Sequence, residues 1–502
     1  MRQQLLQSFT DISVLNLHGS LKKRERTPTG ERDENVFDIQ QGVSISVFVK
    51  RLDEPPAETV KYADLWGTRE AKYDWLANHS LANTTFTDVR PVSPFYLFVP
   101  RDPDLRAEYE RGWRLQEAMP FNALGSQTHR DDFAVGFDRA EVRARIEALR
   151  RTTPSDEAIR DTYGLPVDWD LRAVRRSLRA DVEWEAPLRR VLYRPFDWRF
   201  AYLATPICDR PRPGLLAQFS DTNLALGVGR QGLAVGGEWD LAIALDGPVD
   251  GNVFRRGGAQ IFPLYLLPTP AEVEGGLFQP DERRVNLAPR FWDDIAGRTG
   301  LAPLETGRGD LSETFGPEDV IAYIYAVLSA PSYRGRYAGQ LSDDFPRVPV
   351  TGDASLFADL ATLGHRLIRI HTDPSTSAVP LPRFPIPGTN VVERGHPRFD
   401  EARPTGDGVE GGGGRSYLSA DHPRTGLRGQ FWEPVPADVW NFRIGGFHPV
   451  QEWLKDRRER ALSGDEVDHH SRVIAAVAET LALMRSIDEV IHDRGGWPLV
   501  GS

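Results

Sequence analysis

Short predicted strands, interrupted by Gly, Pro and Asp, fill the segment from Leu188 to Leu267. Strands bounded by turn residues in this way predict a β-rich domain core. On either side of it, apolar residues recur at helical spacing. The predicted helices lie near Thr68–Ala77, Arg139–Arg151, Leu171–Glu183, Pro317–Leu328, Ser355–Ile370 and Val467–Asp488. The chain is therefore expected to combine a central β-rich region with flanking helices.

The first 50 residues predict the end of an α/β unit. Leu5, Leu6 and Phe9 can share one face of a short helix, Ile12–Leu17 is rich in β-forming residues, and Val43–Val49 largely alternates apolar and polar residues. One helix and two strands offer no partner for their apolar faces. We expect a missing part of this unit to lie in front of Met1.

The charge of the chain argues at first against a nucleic-acid partner. The 502 residues carry 61 basic and 72 acidic side chains, a net charge of −11. However, six of the basic residues are Lys and the other 55 are Arg. The planar guanidinium fork suits phosphates and base edges, and the distribution of charge decides binding more than its total.

Composition and chain ends indicate a soluble cytoplasmic protein. No run of about 18 apolar residues is present, which argues against a membrane partner. The N-terminus lacks an apolar signal core, and the single Cys208 cannot form an internal disulfide, in agreement with a reducing compartment. Cys208 has no neighbouring His that would mark a nucleophile, so we interpret it as a plain buried thiol.

Two further motifs resemble ligand-binding sites, but neither predicts one. Gly227, Gly229 and Gly232 spell G-x-G-x-x-G, but a strand-like segment and not a helix follows, so hairpin glycines are expected and not a dinucleotide site. His469 and His470 are adjacent, whereas metal ligands on a helix are spaced by three or four residues. A solvated helix start is the expected setting of this pair, and no metal site is predicted.

Five segments along the chain carry recognisable motifs: Leu15–Lys50, Tyr193–Asp197, Phe262–Leu267, Asp319–Pro349 and Val439–Arg458. The first reads LNLHGSLKKRERTPTGERDENVFDIQQGVSISVFVK, the second YRPFD followed by Trp198 and Arg199, and the third FPLYLL. In this order the five segments resemble the type ISP restriction–modification enzymes, which are bacterial defence proteins that act against phage DNA. Members of this family join a nuclease, a translocase, an adenine-N6 DNA methyltransferase and a target recognition domain.

The resemblance implies a mixed α/β and α+β fold. Residues 1–55 would be the truncated end of a Rossmann-like, S-adenosylmethionine-dependent methyltransferase sheet, and 56–120 a connecting segment. Residues 121–400 would be a β-rich target recognition domain, and 401–502 a C-terminal strand and helix segment packing on it. Neither N-P-P nor D-P-P-Y occurs in the chain, and no strand–Gly-loop–helix precedes Leu15. We therefore expect the C-terminal part of such an enzyme, inactive alone and without its own S-adenosylmethionine.

The resemblance also assigns one residue to the target base. Phe37 occupies the place of the aromatic residue that stacks on the extruded adenine in these methyltransferases. A flipped base needs an apolar or aromatic face to replace its lost stacking. The alternative is that Phe37 packs beneath the sheet.

The predicted contacts with double-stranded DNA lie in three segments. Leu124–Asp131 resembles the entry into the recognition domain, where a Gly and small polar residues let the backbone approach a phosphate. The predicted DNA-binding residues are Gln127, Thr128, Arg130, Arg194, Arg199, Arg230 and Gln231. Arg favours guanine and Gln favours adenine, so a hairpin tip carrying both could enter the major groove. The alternatives are a salt bridge of Arg130 with Asp131 or Asp132, a pair of Arg194 with Asp197, and an ordinary polar turn at 230–231.

Three functions follow from these observations. The first is the DNA specificity region of a type ISP enzyme, which directs adenine-N6 methylation and restriction. The second is one subunit of a split methyltransferase, active only with an upstream-encoded portion that carries the S-adenosylmethionine and N-P-P-Y motifs. The third is a sugar- or protein-binding module with an aromatic groove, motivated by Trp66, Trp75, Trp198 and Trp239.

Overall fold

The fold is described from a computed structural model of the chain. It describes residues 1–499 except 22–24, 152–153, 221, 230–238, 256–257, 269, 277–278, 280–281, 402–412, 423–425 and 427. The helices of this part are α1 (Arg2–Ser8), α2 (Arg69–Asn78), α3 (Pro103–Glu110), α4 (Leu115–Ala118), α5 (Asp131–Ala134), α6 (Arg139–Arg150), α7 (Asp156–Tyr163), α8 (Leu171–Ala180), α9 (Pro213–Leu216), α10 (Pro270–Glu274), α11 (Pro289–Thr299), α12 (Pro317–Ser329), α13 (Pro331–Arg336), α14 (Ala338–Asp343), α15 (Ala354–Thr372), α16 (Ala437–Asn441), α17 (Pro449–Lys455) and α18 (Gly464–Asp493).

Most strands between these helices are short. They are β1 (Asp11–His18), β2 (Val43–Val49), β3 (Val60–Asp64), β4 (Thr87–Val89), β5 (Trp113–Arg114), β6 (Ala123–Leu124), β7 (Val135–Gly136), β8 (Leu188–Arg194), β9 (Asp197–Tyr202), β10 (Ala225–Gly229), β11 (Ala242–Leu245), β12 (Ala259–Pro263), β13 (Tyr265–Leu266), β14 (Arg284–Val285), β15 (Ala302–Pro303), β16 (Thr314–Phe315), β17 (Arg347–Val348), β18 (Arg398–Asp400), β19 (Gly414–Tyr417) and β20 (Phe431–Val435). The chain divides into two compact units. The first comprises Met1–Glu110 with Trp239 and Tyr337–Ser342, and the second the remaining described chain from Arg111.

The first unit is built on a four-stranded sheet of order β2-β1-β3-β4. β1 pairs antiparallel with β2 and parallel with β3, and β3 pairs antiparallel with β4. Ile12, Val14 and Val60 form part of its core, and α2 begins at Thr68, whose side chain caps Ala71 N–H. Residues from the predicted connecting segment thus supply two further strands of the sheet, and Tyr96, Phe98 and Val99 pack against its core.

The second unit contains several small sheets. The central one has the order β11-β10-β12-β6 and is antiparallel throughout. β10 and β11 are buried along their whole length, which explains why they read as continuous apolar runs. A second sheet, β7-β9-β8, contains the β8–β9 hairpin, and a third, β18-β19-β20, lies near the C-terminus. The fold of the described chain is therefore mixed, as predicted.

Two long helices of the second unit pack at close range. α12 is buried along nearly its full length, and α15 lies against it at Gly364, where a Cβ would clash with the Ala322 carbonyl. Glycine is needed at this position because no other residue lets the two backbones approach so closely. α18 begins with a capping box formed by Ser463 and Glu466. The predicted helices of both units are confirmed.

Several smaller predictions can be compared with this fold. Gly227 and Gly229 lie in β10, so they do not open a helix, whereas Gly232 lies outside the described residues. Cys208 is a buried thiol, as predicted. The prediction of a solvated pair at His469 and His470 is wrong. His470 is fully buried beside Trp432 and Trp453, and His469 bonds the Phe196 carbonyl.

Burial lowers the pKa of both histidines, so each is neutral at pH 7.

None of the described helices combines the length and the apolar character needed to cross a membrane.

Candidate nucleic-acid interface

The loop that follows β6 is held tightly against the second unit. Gly125 N–H donates to the Ala259 carbonyl at 3.1 Å, and a Cβ on Gly125 would lie 2.9 Å from the Gly251 backbone. Ser126 donates its N–H to the Val249 carbonyl and its hydroxyl to the Pro211 carbonyl at 2.8 Å. Only glycine fits this approach, so the loop position is fixed by backbone contacts before any ligand is present.

Gln127 and Arg210 lie on neighbouring segments of this loop region. Their backbones exchange two hydrogen bonds, of 3.0 Å from Gln127 N–H and 2.9 Å from Arg210 N–H. The Arg210 guanidinium is 55% exposed and makes only a 3.4 Å contact with Gln127 Oε1 and a 4.0 Å contact with Asp209. The backbone is therefore anchored, the Arg210 side chain faces solvent, and Gln127 is half-buried.

His129 and Asp209 lie beside this pair. His129 has a left-handed backbone conformation with φ of 53°, and its side chain is 51% exposed. Its Nδ1 lies 2.8 Å from Asp209 Oδ2. This contact links the exposed ends of the two segments, and the Asp209 carboxylate lies closer to His129 than to Arg210, from which it is 4.0 Å away.

Thr128 and Arg130 hold the loop from within. Thr128 is buried, and its hydroxyl bonds the Asp131 carboxylate, which also accepts a 2.9 Å hydrogen bond from Tyr193 Oη. Arg130 stacks on Trp169 at 4.4 Å and donates to the Ile207 carbonyl at 3.2 Å. These contacts differ from the salt bridge that was the alternative for Arg130. The predicted DNA contacts of Thr128 and Arg130 stay predictions.

Arg194 is buried in an ion pair within the second unit. Its guanidinium bonds Asp250 at 2.8 Å and stacks on Tyr193 at 3.8 Å. The partner is thus Asp250 and not Asp197, the alternative expected from sequence. Burial raises the pKa of Asp250 to about 6, although Arg194 opposes this effect.

Arg199 belongs to a second buried ion cluster. It bonds Asp197 at 2.7 Å and Asp456 at 2.8 Å, and it stacks on Tyr193 and Phe137. Asp197 also accepts a 2.8 Å hydrogen bond from Arg457. Burial would raise the pKa of Asp197, but Arg457 and Arg199 outweigh it and hold this pKa below its usual value. The cluster joins the β8–β9 hairpin to the end of α17.

Two of the predicted arginines, Arg194 and Arg199, lie close to the loop that follows β6. Arg194 and Arg199 both stack on Tyr193, whose hydroxyl bonds Asp131 in the Gly125–Asp131 loop. The Gly125–Asp131 loop and the β8–β9 hairpin therefore meet, but Arg194 and Arg199 lie beneath the surface. Their predicted DNA contacts stay predictions. Arg230 and Gln231 lie outside the described residues, and β10 ends before them at Gly229, which pairs with the same Ala259 that binds Gly125.

In the first unit, Phe37 lies at the tip of a loop and is 55% exposed, so it does not pack beneath the sheet. Asn35 shapes this loop from within. Its Nδ2 donates to the carbonyls of Gly19 (3.0 Å), Ile39 (3.2 Å) and Gln41 (2.6 Å), and its Oδ1 accepts from Phe37 N–H. One buried amide thus closes the turn and turns the Phe37 ring outward.

Three side chains of α2 hold the same loop from its other side. Arg69 donates to the carbonyls of Asn35 and Phe37, and Tyr73 donates to the Val36 carbonyl at 2.5 Å. Lys72 is fully buried, bonds the Glu34 carbonyl at 2.6 Å and pairs with buried Asp33 at 2.7 Å. Spacing of three and four residues places all three donors on one helix face. The aromatic tip is therefore preorganised.

Sequence reasoning missed Arg210 and the α2 contacts. A signal for Arg210 was present in Arg210-Pro211, because a proline favours an extended backbone at the residue before it. Lys72 is one of six lysines, but its burial depends on Asp33, which lies far from it in the sequence. No local pattern marks such a pair.

One family model and several solved structures are similar to this chain. Residues 117–486 match the family model described as the Type ISP C-terminal specificity domain. Three solved structures share the fold over 97% of this chain. They are a nuclease-deletion mutant of the Type ISP restriction-modification enzyme LlaGI in complex with a DNA substrate mimic (17% identity, TM-score 0.65), the ATP-dependent Type ISP restriction-modification enzyme LlaBIII bound to DNA (19%, 0.68) and a DrdV–DNA complex (16%, 0.68).

This chain covers less than half of each of those proteins: 37% of the LlaGI chain, 31% of the LlaBIII chain and 48% of the DrdV chain. A comparison with curated proteins found no match.

Proposed function

The chain belongs to the type ISP C-terminal specificity domain family, and on that premise we propose that it is the sequence-specific DNA recognition region of a restriction–modification enzyme. The solved structures of similar fold are complexes with DNA or with a DNA substrate mimic, which supports a DNA partner for this chain.

The observation that carries this proposal is the anchored pair of Gln127 and Arg210. Both side chains are presented by a backbone that is fixed on two sides, and the Arg210 fork has no strong partner of its own among the described residues. Arg bonds the O6 and N7 acceptors of guanine, or a phosphate, and Gln bonds the N6 and N7 groups of adenine. A fixed pair of this kind can read or position a duplex without first ordering a loop.

We further propose that recognition directs adenine-N6 methylation and restriction by portions of the enzyme encoded upstream. The first unit would be the remnant of a Rossmann-like sheet, and its preorganised Phe37 would stack on the extruded adenine. S-adenosylmethionine belongs to the upstream portion in this proposal. At the end of β1 a Cβ on Gly19 would clash with the Asn35 backbone, so the chain itself fills that space and we assign no cofactor contact there.

A split methyltransferase is the second candidate function, and the exposed Phe37 tip favours it. An aromatic ring held outward by so many hydrogen bonds is expected to meet a partner surface or a base. The test is to mix this chain with the product of an upstream frame that carries N-P-P-Y. Labelled methyl transfer to DNA by the mixture, but by neither chain alone, supports a split enzyme. Transfer by this chain alone contradicts the assignment of methylation to an upstream portion.

The DNA-binding test compares Arg210→Ala with Arg383→Ala, a control whose side chain is 74% exposed and paired with Glu433. The probe is a pool of duplexes of random sequence, titrated over a range of salt concentrations. If Arg210 meets a phosphate, the slope of log affinity against log salt falls by about one in Arg210→Ala. If it meets a base, the affinity for a selected sequence falls by about 1–3 kcal/mol. Wild-type behaviour of Arg210→Ala in both respects contradicts this assignment.

A further inference from the structure

A polar cleft in the second unit is lined by none of the residues that the proposed function uses. It has a volume of about 560 Å³ and is bounded on one side by the outward stripe of α15. The stripe residues are Thr362, His365, Arg366, Arg369 and Thr372, spaced at successive helical turns. The opposite walls include Thr222–Leu224, Asp246, Tyr265, Arg283, Arg308 and Glu318.

Two of the cleft arginines are held in place through Nε alone. Arg366 Nε bonds Glu479 at 2.5 Å, and that carboxylate is itself fixed by the Ser377 hydroxyl and Ala378 N–H. Arg308 Nε bonds Glu318 at 3.0 Å. Among the residues the structure describes, the terminal amino groups of both forks form no hydrogen bond. Each fork is therefore oriented by its carboxylate while two of its nitrogens stay available to a ligand.

Arg369 adds a third guanidinium, one turn beyond Arg366. It is exposed, and its side chain makes no ion pair or hydrogen bond within the described part of the chain. His365, by contrast, is paired with Asp319 at 2.7 Å and contributes no free charge. The cleft thus combines two guanidinium groups that are each held by a carboxylate with one exposed guanidinium that has no partner among the described residues.

The charges of the cleft favour an anion of modest size. Four arginines line the cleft; Arg366 is paired with Glu479 outside the lining, and Arg308 with Glu318, which is one of the two lining carboxylates. The other, Asp246, has its pKa raised by burial, although Arg190 opposes this effect. Guanidinium forks match the oxygens of a phosphate bidentately, and the threonine hydroxyls nearby can complete its hydrogen bonds.

We propose that this cleft binds a phosphate group of a nucleotide, carried either by the DNA backbone or by a free mononucleotide. Its volume lies within the range of small-molecule sites, about 300–1,000 Å³. The DNA form of the proposal rests on the proposed function, whereas the mononucleotide form does not. In both forms Arg308 and Arg369 contact the phosphate, and Arg366 orients the wall from which Arg369 projects.

The test uses the full chain and two probes, adenosine monophosphate and a pool of random duplexes. Arg308→Gln, Arg369→Gln and the double variant are compared with Arg383→Gln, whose exposed side chain pairs with Glu433 elsewhere in the unit. Binding of the mononucleotide is measured by calorimetry, and binding of DNA by its salt dependence. Circular dichroism and the thermal midpoint without ligand establish that each variant is folded; Arg369→Gln, at an exposed site, is expected to fold normally.

If the cleft takes a free nucleotide, the wild type binds adenosine monophosphate, each single variant binds it about tenfold more weakly, and Arg383→Gln is unchanged. If it takes the DNA backbone, the salt slope falls by about one for each arginine replaced, and the mononucleotide does not bind. Wild-type behaviour of the double variant with both probes overturns the proposal. Arg210→Ala tests the DNA-recognition proposal separately, so wild-type behaviour of the double variant does not contradict that proposal. Likewise, wild-type DNA binding by Arg210→Ala does not contradict the binding of a mononucleotide in the cleft.

Discussion

Replacing Asp197 with asparagine removes the negative charge that lies between two buried guanidinium groups. Asp197 is fully buried and bonds Arg199 at 2.7 Å and Arg457 at 2.8 Å. Breaking a buried ion pair by removing one partner costs about 3–5 kcal/mol, because the remaining charge is left uncompensated. Asparagine keeps one oxygen that can accept a hydrogen bond, so we expect a loss of about 3 kcal/mol in the free energy of unfolding.

The assay is urea denaturation followed by tryptophan fluorescence. Trp453 is a suitable reporter because its ring lies 3.6 Å from the Arg457 guanidinium. Asp438→Asn is the matched control, since Asp438 is 57% exposed and lies 3.9 Å from Arg485. A pair of this exposed kind contributes about 0–1 kcal/mol, so the control is expected to unfold almost as the wild type does.

The pKa of Asp197 determines how the difference in the free energy of unfolding between the wild type and Asp197→Asn depends on pH. Because the folded-state pKa lies below the usual value of about 3.9, the carboxylate stabilises the fold fully above pH 4 to 5. This contribution is lost as the pH falls through the folded-state pKa. The difference between the wild type and Asp197→Asn is therefore expected to be constant near neutrality and to shrink in acid.

A small loss in the free energy of unfolding of Asp197→Asn would refute this reasoning. A loss below about 1 kcal/mol would mean that the buried carboxylate is not what neutralises Arg199 and Arg457. A variant that keeps its stability but loses DNA affinity would instead place Arg199 at the DNA, as the sequence alone predicted.

Three further outcomes follow from the same contacts. Lys72→Ala is expected to cost about 3–5 kcal/mol in thermal or urea unfolding, because it leaves Asp33 buried without its partner; unchanged stability would contradict the clamp on the Phe37 loop. The thiol of Cys208 is buried and burial raises its pKa to about 11, so a thiol reagent at pH 8 should label it only on unfolding, and rapid labelling of the folded chain would contradict this. Gly364→Ala should separate α12 from α15 and lower the unfolding midpoint, whereas Gly352→Ala, where a Cβ meets no neighbour, should not.

Local patterns in the sequence predicted the elements of the fold well. The stripe of apolar residues in Val467–Asp488 identified the centre of α18, and Arg139–Arg151 matches α6 within one residue. Both depend on spacing along one helix, which the sequence shows directly. His470 was misplaced because its surroundings come from Trp432 and Trp453, which lie in other elements.

The candidate site was predicted less completely for a physical reason. The sequence identifies an arginine but not which carboxylate the fold brings to it. Arg194 and Arg199 look alike beside a turn, yet Arg194 pairs with Asp250, 56 residues away, and Arg199 pairs both with nearby Asp197 and with Asp456, 257 residues away. Arg210 carries no stronger local signal than they do, but the fold leaves its guanidinium exposed.

Selection of bound duplexes from a random pool tests the central claim most directly. The purified chain is mixed with the pool at low salt, the retained DNA is amplified and sequenced over several rounds, and Arg210→Ala is carried through in parallel. Sequence-specific recognition predicts that one short sequence is enriched by the wild type and that the Arg210→Ala variant enriches it less or loses preference at one position. Retention that shows no enriched sequence, or no retention at any salt concentration, would contradict the assignment of this chain as a DNA recognition region.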